Sequence, residues 1–248
     1  MVTHPYCHTR SLAGMRTFAE AALAQGLQGM VFTEHAPLAE HWSWDKHFLS
    51  RQEYPLYLDY AEQLQAEFSG RLRIGVGLEV DYHPENLSNL EKLLSRRHFD
   101  HVGVSLHMHL NYWQEELSGR TEAEQVRAAL KHTLAAVCSG LGTGLNHFDF
   151  FRVRMPWYDP APFEEDIRAI FEAMVKHGVA LELNTNGWKR FNEAMPGDVV
   201  WKWSLEYPLR RTVGSDAHRV TEVGQYFAQA KQRVDACLAR RPDSCPTQ

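Results

Sequence analysis

Cysteine is scarce in this sequence. The 248 residues include four, Cys7, Cys138, Cys237 and Cys245, and no two are spaced like the ligand pairs of a zinc-binding motif. A chain of this length can bury a large core without covalent cross-links, so the sequence predicts no disulfide framework. Cys138 and Cys237 fall in apolar helical patterns and are expected in the core. Cys7 alone lies beside histidines, His4 and His8.

The sequence also lacks long runs of basic residues and long runs of apolar residues. The net charge is −5 and no basic block occurs, so a nucleic-acid partner has no electrostatic support. No stretch approaches the ~18 apolar residues that a membrane-spanning helix needs. The first residues, Met1-Val2-Thr3-His4, lack the charged and apolar regions of a secretion signal. These absences predict a cytoplasmic protein.

Two phosphate-binding fingerprints are absent as well. No Gly-rich dinucleotide motif follows the first predicted strand, and no phosphate loop ends in Gly-Lys-Ser or Gly-Lys-Thr. An open nucleotide-binding sheet is therefore weakly supported. The sequence has instead an enzyme-like composition, with 44% hydrophobic and 23% charged residues, and many histidines, 14 in all. Four of them, His98, His101, His132 and His177, fall in polar positions and are expected at the surface.

Strand-like and helix-like segments alternate along the chain. Strands are predicted at 30–33, 73–78, 101–106 and 179–183, with a short fifth strand that ends at His147 and Asp149 and a seventh that ends at Asp216. Helices are predicted at about 15–26, 54–69, 85–96, 121–139, 162–177 and from Thr221 to about 239, and residues 4–8 are predicted as a loop. Such alternation is typical of parallel strands joined by crossover helices. Six or seven units without a linker favour one α/β barrel domain over residues 1–248, with a frayed tail from about 240.

Metal-binding residue types recur at the carboxyl ends of the predicted strands. The set consists of His35, Glu79, His107, His147, Asp216 and His218, and His4 precedes the first helix in an equivalent place. In a β/α barrel these ends form one face, where catalytic residues gather. Each histidine alone is readily explained as a hydrogen-bonded loop residue, and Asp216 as part of a turn. Their repetition at one structural position favours a shared site.

The types of donor indicate which chemistry such a site would perform. Imidazoles with a few carboxylates suit Zn, Fe or Mn better than Mg or Ca. Two or three divalent ions are expected, with Glu79 or Asp216 as the bridging carboxylate. Such a centre lowers the pKa of bound water to near 7 and supplies hydroxide, which predicts metal-assisted hydrolysis. Asp216 or a nearby histidine such as His218 would protonate the leaving group.

Basic and amide side chains near the same face point to a phosphate ester as substrate. The candidate phosphate-binding residues are Lys189, Arg190, Arg219, Arg152 and Asn184. A guanidinium fork matches a phosphate well, although solvated surface charge explains any single one of these cations. His83, His109 and Asp149 lie next to ligand positions and are candidates for supporting contacts. Asp81 is equally well explained as a residue that packs in the barrel.

Six segments, in this order, resemble a known family. They are Phe32-Thr33-Glu34-His35-Ala36-Pro37-Leu38, Gly77-Leu78-Glu79-Val80-Asp81-Tyr82, Ser105-Leu106-His107, Asn146-His147-Phe148-Asp149, Asn184-Thr185-Asn186-Gly187 and Gly214-Ser215-Asp216-Ala217-His218. The sequence resembles the polymerase and histidinol phosphatase (PHP) domain, and within it the monofunctional histidinol-phosphatases. The resemblance covers nearly the whole chain.

The resemblance implies a distorted, TIM-like (β/α)7 barrel with two or three metal ions. It implies hydrolysis of L-histidinol phosphate in histidine biosynthesis. It also implies a ligand set of His4, His35, Glu79, His107, His147, Asp216 and His218. Another small phosphate ester, such as a nucleotide or sugar phosphate, is an alternative substrate, because the aromatic loop containing Trp42, Trp44 and Phe48 rather than the metals would select it.

One departure from the family pattern concerns the first strand. Family members open with His-x-His, whereas here His4 takes the second position and Val2 the first. Either the natural start lies upstream and supplies the missing histidine, or the chain has lost one ligand. His8 or Cys7 would then be the substitute, or the protein is a partly degenerate barrel. The order Trp188-Lys189-Arg190 also differs from the Leu-Arg that usually follows the Asn-Thr-x-Gly element.

Overall fold

Parallel strands follow one another in chain order around a barrel. The computed structural model describes residues 2–42 and 46–238. Within these residues, seven strands form one sheet in which every neighbouring pair is parallel: β1 Val2–Thr3, β2 Gly29–His35, β3 Arg73–Asp81, β4 His101–Ser105, β5 Gly144–Leu145, β6 Ala180–Asn184 and β7 Arg211–Gly214. A bridge between Thr3 and Ala217, with the His4 amide donating to the Ala217 carbonyl at 3.0 Å, joins the two ends. The predicted distorted (β/α)7 barrel is confirmed.

Helices cross between successive strands. They are α1 Pro5–Thr9, α2 Leu12–Ala24, α3 Glu53–Glu67, α4 Leu87–Leu94, α5 Gln114–Leu117, α6 Glu122–Cys138, α7 Glu164–His177, α8 Gly187–Phe191, α9 Asp198–Ser204 and α10 Phe227–Leu238. Short 3-10 turns lie at Pro84–Asn86, Asn111–Trp113, Phe150–Val153, Ala161–Phe163 and Val220–Glu222. Helix α6 begins with a capping box in which Thr121 and Glu124 satisfy each other's backbone amides.

Most strand residues are buried on both faces of the sheet, as expected for a parallel barrel covered by helices, although Arg211, Thr212 and Val213 of β7 are only partly buried. From Ile74 to Asp81 every residue of β3 is buried. The barrel interior is tight, and Gly103 shows why: a Cβ added there would lie 2.2 Å from the Asn146 side-chain nitrogen. The crossover arrangement brings the carboxyl ends of all the described strands to one rim, where the predicted ligands lie.

Several local predictions were wrong. Residues 5–9 form helix α1 rather than a loop, because Pro5 at the first helical position fixes a helical φ and lacks only an amide that would be unpaired. No regular helix starts at Thr221, since Gly224 (φ +71°) and Tyr226 (φ +57°) are left-handed and delay α10 until Phe227. Helices α8 and α9 were not predicted.

Some side chains also lie elsewhere than expected. Cys138 is exposed at the end of α6, not in the core. His98 and His177 are exposed as predicted, but His101 and His132 are partly buried. Trp44, the predicted tail from about residue 240 and the side chains of Val2, Cys7 and Cys237 lie outside what the structure describes. Among the described residues, no helix has the length and apolar character needed to cross a bilayer.

Candidate metal centre

Glu79, near the end of β3, is the centre of a buried cluster of imidazoles. Its Oε2 lies 3.0 Å from His4 Nε2, and its Oε1 lies 3.0 Å from His147 Nε2 and 3.5 Å from His107 Nε2. The Ser105 hydroxyl also donates to Oε1, at 2.5 Å. Glu79 is only 1% exposed, so one carboxylate connects residues of β3, β4 and the segments after β1 and β5 in a site that solvent barely reaches.

Asp216, after β7, is the second carboxylate of the cluster. Its Oδ1 lies 3.3 Å from His4 Nε2 and 3.5 Å from His218 Nδ1. The His4 ring stacks against the His35 ring, at a centroid distance of 4.6 Å, and against the His218 ring, at 4.9 Å. His4 thus contacts both carboxylates and joins the two halves of the cluster.

The cluster fits metal ions. Two sets of donor atoms each lie within 4.8 Å of one another: His4, His35 and His218, and His35, Glu79 and His107. The Nδ1 atoms of His4 and His35 are buried without a hydrogen-bond partner. Buried polar atoms without partners are costly, and a cation that accepts their lone pairs removes that cost. Nitrogen-rich donors of this kind suit Zn, Fe or Mn.

Two of the cluster residues have left-handed backbone conformations. His147 has φ +26° and Asp216 has φ +49°, a region that residues other than glycine seldom adopt. These φ values also explain why β5 and β7 end before the predicted positions, since the chain leaves the extended conformation there. Such strain persists only where the surroundings over-determine it, and it concentrates at functional sites.

Strand β6 and the residues that follow it supply those surroundings. Glu182 accepts the His147 amide at 2.9 Å, and Asn184 donates to Glu182 at 3.0 Å. Asn184 and Asn186 both donate to Asp216 Oδ2, at 3.4 Å and 3.2 Å. Sequence reasoning missed Glu182 and Asn186 as parts of the site. The one signal for Glu182 was an acidic residue inside an otherwise apolar strand.

The pKa values of the cluster residues shift in different directions. Burial alone would lower the pKa of His4, but Glu79 and Asp216 outweigh it and raise that pKa well above its ordinary value. Burial likewise opposes ionisation of Glu79, yet the surrounding imidazoles hold its pKa well below normal. Burial lowers the pKa of His35, whose nearest carboxylate contact is longer, at 3.9 Å. Burial raises the pKa of Glu182 to about 7.

A cavity of about 660 Å³ opens over the cluster. The residues that line it include three apolar side chains, Phe48, Leu110 and Phe150, and three cations, Lys189, Arg190 and Arg219. The Arg190 guanidinium lies over the Phe150 ring, 5.4 Å from its centroid. Lys189 is paired with Glu222 at 2.8 Å, which offsets its charge. A phosphate entering the cavity would meet both guanidinium groups and imidazoles of the cluster, because both line it.

The structure places three predicted site residues differently from the rest. Arg152 does not line the cavity, because its guanidinium contacts Asp149 at 3.2 Å and Glu193 at 2.5 Å. Asn184 is buried, with its amide directed at two carboxylates rather than into the cavity. His8 lines the cavity edge-on to His218, at a centroid distance of 5.0 Å, but belongs to neither set of donors among the described residues.

Comparisons with known proteins agree with this geometry. The sequence matches the PHP domain over residues 2–186. It is 31% identical to the "Probable histidinol-phosphatase" of Deinococcus radiodurans, covering 88% of this chain and 85% of that protein, and 24% identical to the "Histidinol-phosphatase" of Bacillus subtilis strain 168, covering 92% and 96%. The fold matches the crystal structure of histidinol phosphate phosphatase from Lactococcus lactis, complexed with Zn, L-histidinol and phosphate, with a TM-score of 0.72, 22% identity and coverage of 90% and 86%. Because the PHP domain model matches residues 2–186, well over half of the chain, this protein belongs to the PHP domain family.

Proposed function

We propose that this protein is a metal-dependent phosphatase that hydrolyses L-histidinol phosphate to L-histidinol and phosphate, a reaction of histidine biosynthesis. The observation that carries the proposal is the buried cluster around Glu79 and Asp216, which opens into a cavity that the guanidinium groups of Arg190 and Arg219 also line. The relatives described above carry this activity in their names. We further propose that residues 1–248 form a single domain.

Seven residues are proposed as the metal ligands: His4, His35, Glu79, His107, His147, Asp216 and His218. When bound there, two or three divalent ions supply a water nucleophile at neutral pH and neutralise charge on the phosphoryl oxygens. Glu79 is proposed as the bridging carboxylate, because its two oxygens face different imidazoles, His4 on one side and His107 and His147 on the other.

The remaining side chains would hold and orient the substrate. Arg190 and Arg219 line the cavity and are positioned to form charge-assisted hydrogen bonds to a phosphate. The apolar wall of Phe48, Leu110 and Phe150 would take the organic part of the ester and exclude water. A histidine on the cavity wall, such as His218, is the proposed proton donor to the leaving alcohol. The sequence also offered Asp216 for this role, but its burial is outweighed by His218 and His4, which hold the pKa of its carboxyl well below the usual range, so it carries no proton to donate.

The test of this function is phosphate release from L-histidinol phosphate by protein purified without chelator, together with its metal content by inductively coupled plasma mass spectrometry. We expect bound Zn, Fe or Mn and steady turnover. Protein that binds none of these ions and releases no phosphate when they are added would refute the proposal. Comparing kcat/KM on nucleotide and sugar phosphates tests the alternative substrates.

A partly degenerate barrel makes a different prediction at Val2. If the missing first histidine leaves a ligand position incomplete, Val2→His should raise both the metal content and kcat. If the site is complete without it, for instance through His8, the substitution should leave both unchanged. Val2→Ala is the matched control, because it changes the same side chain without adding a ligand.

A further inference from the structure

The His107 ring lies between two carboxylates of the same strand. Its Nε2 is 3.5 Å from Glu79 Oε1, and its Nδ1 is 3.4 Å from Asp81 Oδ2. Glu79 and Asp81 are two residues apart on β3, so their side chains lie on the same face of the strand. Nε2 therefore faces the donor set that contains Glu79, while Nδ1 faces away from it.

Both carboxylate oxygens of Asp81 contact other residues, His107 and Tyr112. Oδ1 accepts the His107 backbone amide at 3.0 Å, and Oδ2 faces the His107 ring and accepts a hydrogen bond from the Tyr112 hydroxyl. Asp81 is only 2% exposed, so its contacts are not shared with solvent. The carboxylate thus holds the backbone and the ring of His107 together.

Aromatic rings fix Tyr112 in the position from which it donates. Trp42 stacks on the Tyr112 ring at a centroid distance of 4.1 Å with an interplanar angle of 1°. His83 lies edge-on to Trp42 at 5.0 Å and to the buried Trp113 at 4.5 Å. This packing connects the aromatic loop after β2 to the end of β3.

We propose that Asp81, held by the Tyr112 hydroxyl, is a positioning residue that determines which ring nitrogen of His107 binds metal; this rests on the metal-dependent function proposed above. A carboxylate beside Nδ1 retains the proton there, so the lone pair lies on Nε2, toward Glu79. A ligating histidine commonly has such a partner, and losing it typically weakens metal binding by about 10–100-fold. Asp81 and Tyr112 act through His107 and touch neither substrate nor metal.

The test compares four full-length proteins: wild type, Tyr112→Phe, Asp81→Asn and the matched control Tyr54→Phe. Tyr54 is also buried, but its hydroxyl donates to the Leu93 carbonyl at 3.1 Å, remote from the cluster. Each protein is stripped of metal and reloaded with Co²⁺. Its visible spectrum reports ligand geometry, and competition with a chelating dye measures Zn²⁺ affinity. Thermal unfolding of the metal-free proteins reports whether each variant folds.

We expect Tyr54→Phe to bind Zn²⁺ like the wild type and Asp81→Asn to bind it roughly 10–100-fold more weakly, with an altered Co²⁺ spectrum. Tyr112→Phe should show a smaller loss in the same direction, because it removes a hydrogen bond to Asp81 and leaves the carboxylate beside Nδ1 in place. In Asp81→Asn, the side-chain oxygen can still accept the His107 backbone amide, which turns the new NH₂ group toward His107 Nδ1. That NH₂ group would donate to Nδ1 and so favour the tautomer in which Nε2 carries the proton. Equal affinities and spectra in all four folded proteins would overturn the proposal. A wild-type protein that binds no metal would instead refute the proposed function itself.

Discussion

Replacing Glu79 by glutamine tests the bridging carboxylate with almost no change of shape. The substitution keeps the oxygen that accepts from Ser105 and faces His107 and His147, and turns an NH₂ group toward His4. A formal charge that is 1% exposed is thereby removed from contact with three imidazoles. Truncating one partner of a buried charged pair costs about 3–5 kcal/mol. At about 1.4 kcal/mol per tenfold change, metal affinity should fall by roughly two to three and a half orders of magnitude.

The assay for Glu79→Gln is Zn²⁺ competition with a chelating dye, followed by phosphate release at saturating and limiting Zn²⁺. Glu206→Gln is the matched control, because Glu206 pairs with Arg168 at the surface and its loss should not change metal binding. If Glu79→Gln retains wild-type affinity and rate, Glu79 does not bridge ions and the reasoning from its contacts fails.

Three further predictions concern other parts of the molecule. Arg190→Ala should raise KM roughly 10–100-fold by loss of a charge-assisted phosphate contact, whereas Arg152→Ala, which breaks two ion pairs outside the cavity, should lower the melting temperature and leave KM unchanged. Chelation should lower the melting temperature reversibly, since metal at 100 times its Kd contributes about 2.7 kcal/mol to stability. Burial lowers the pKa of His101 to about 4. In the unfolded protein, the His101 imidazole takes up a proton near its ordinary pKa, whereas in the native protein it does so only near pH 4. The free energy of unfolding should therefore fall as the pH drops from about 6.5 to 4. Denaturant titrations should show that His101→Gln removes about 1–3 kcal/mol of this dependence, whereas an unchanged pH dependence would show that His101 is not buried as described.

The positions of the cluster residues could be predicted because the barrel itself brings them together. Once the strand order is read from the alternation, each strand end lies on one rim, and a histidine or carboxylate there needs no further information to join the site. His35, Glu79 and His107 follow this logic directly. The stacking of His4 against the His35 and His218 rings agrees with the role assigned to it by resemblance.

Contacts between distant loops account for what the sequence did not reveal. Arg152 looked like a phosphate ligand, but Asp149 and Glu193, 41 residues away, bind its guanidinium first. The support that Glu182 gives to the His147 amide depends on a left-handed backbone, which no residue type in the segment announces. The stack of Trp42 on Tyr112 likewise joins two loops whose proximity follows only from the completed barrel.

We expect hydrolysis of L-histidinol phosphate at the cluster around Glu79 to depend on bound metal ions. The most direct measurement is the initial rate of phosphate release while metal-free protein is titrated with Zn²⁺ or Mn²⁺. We expect no activity without metal and a rate that rises and saturates when two or three ions are bound per chain. Full activity in the metal-free protein, or none at any metal load, would contradict it.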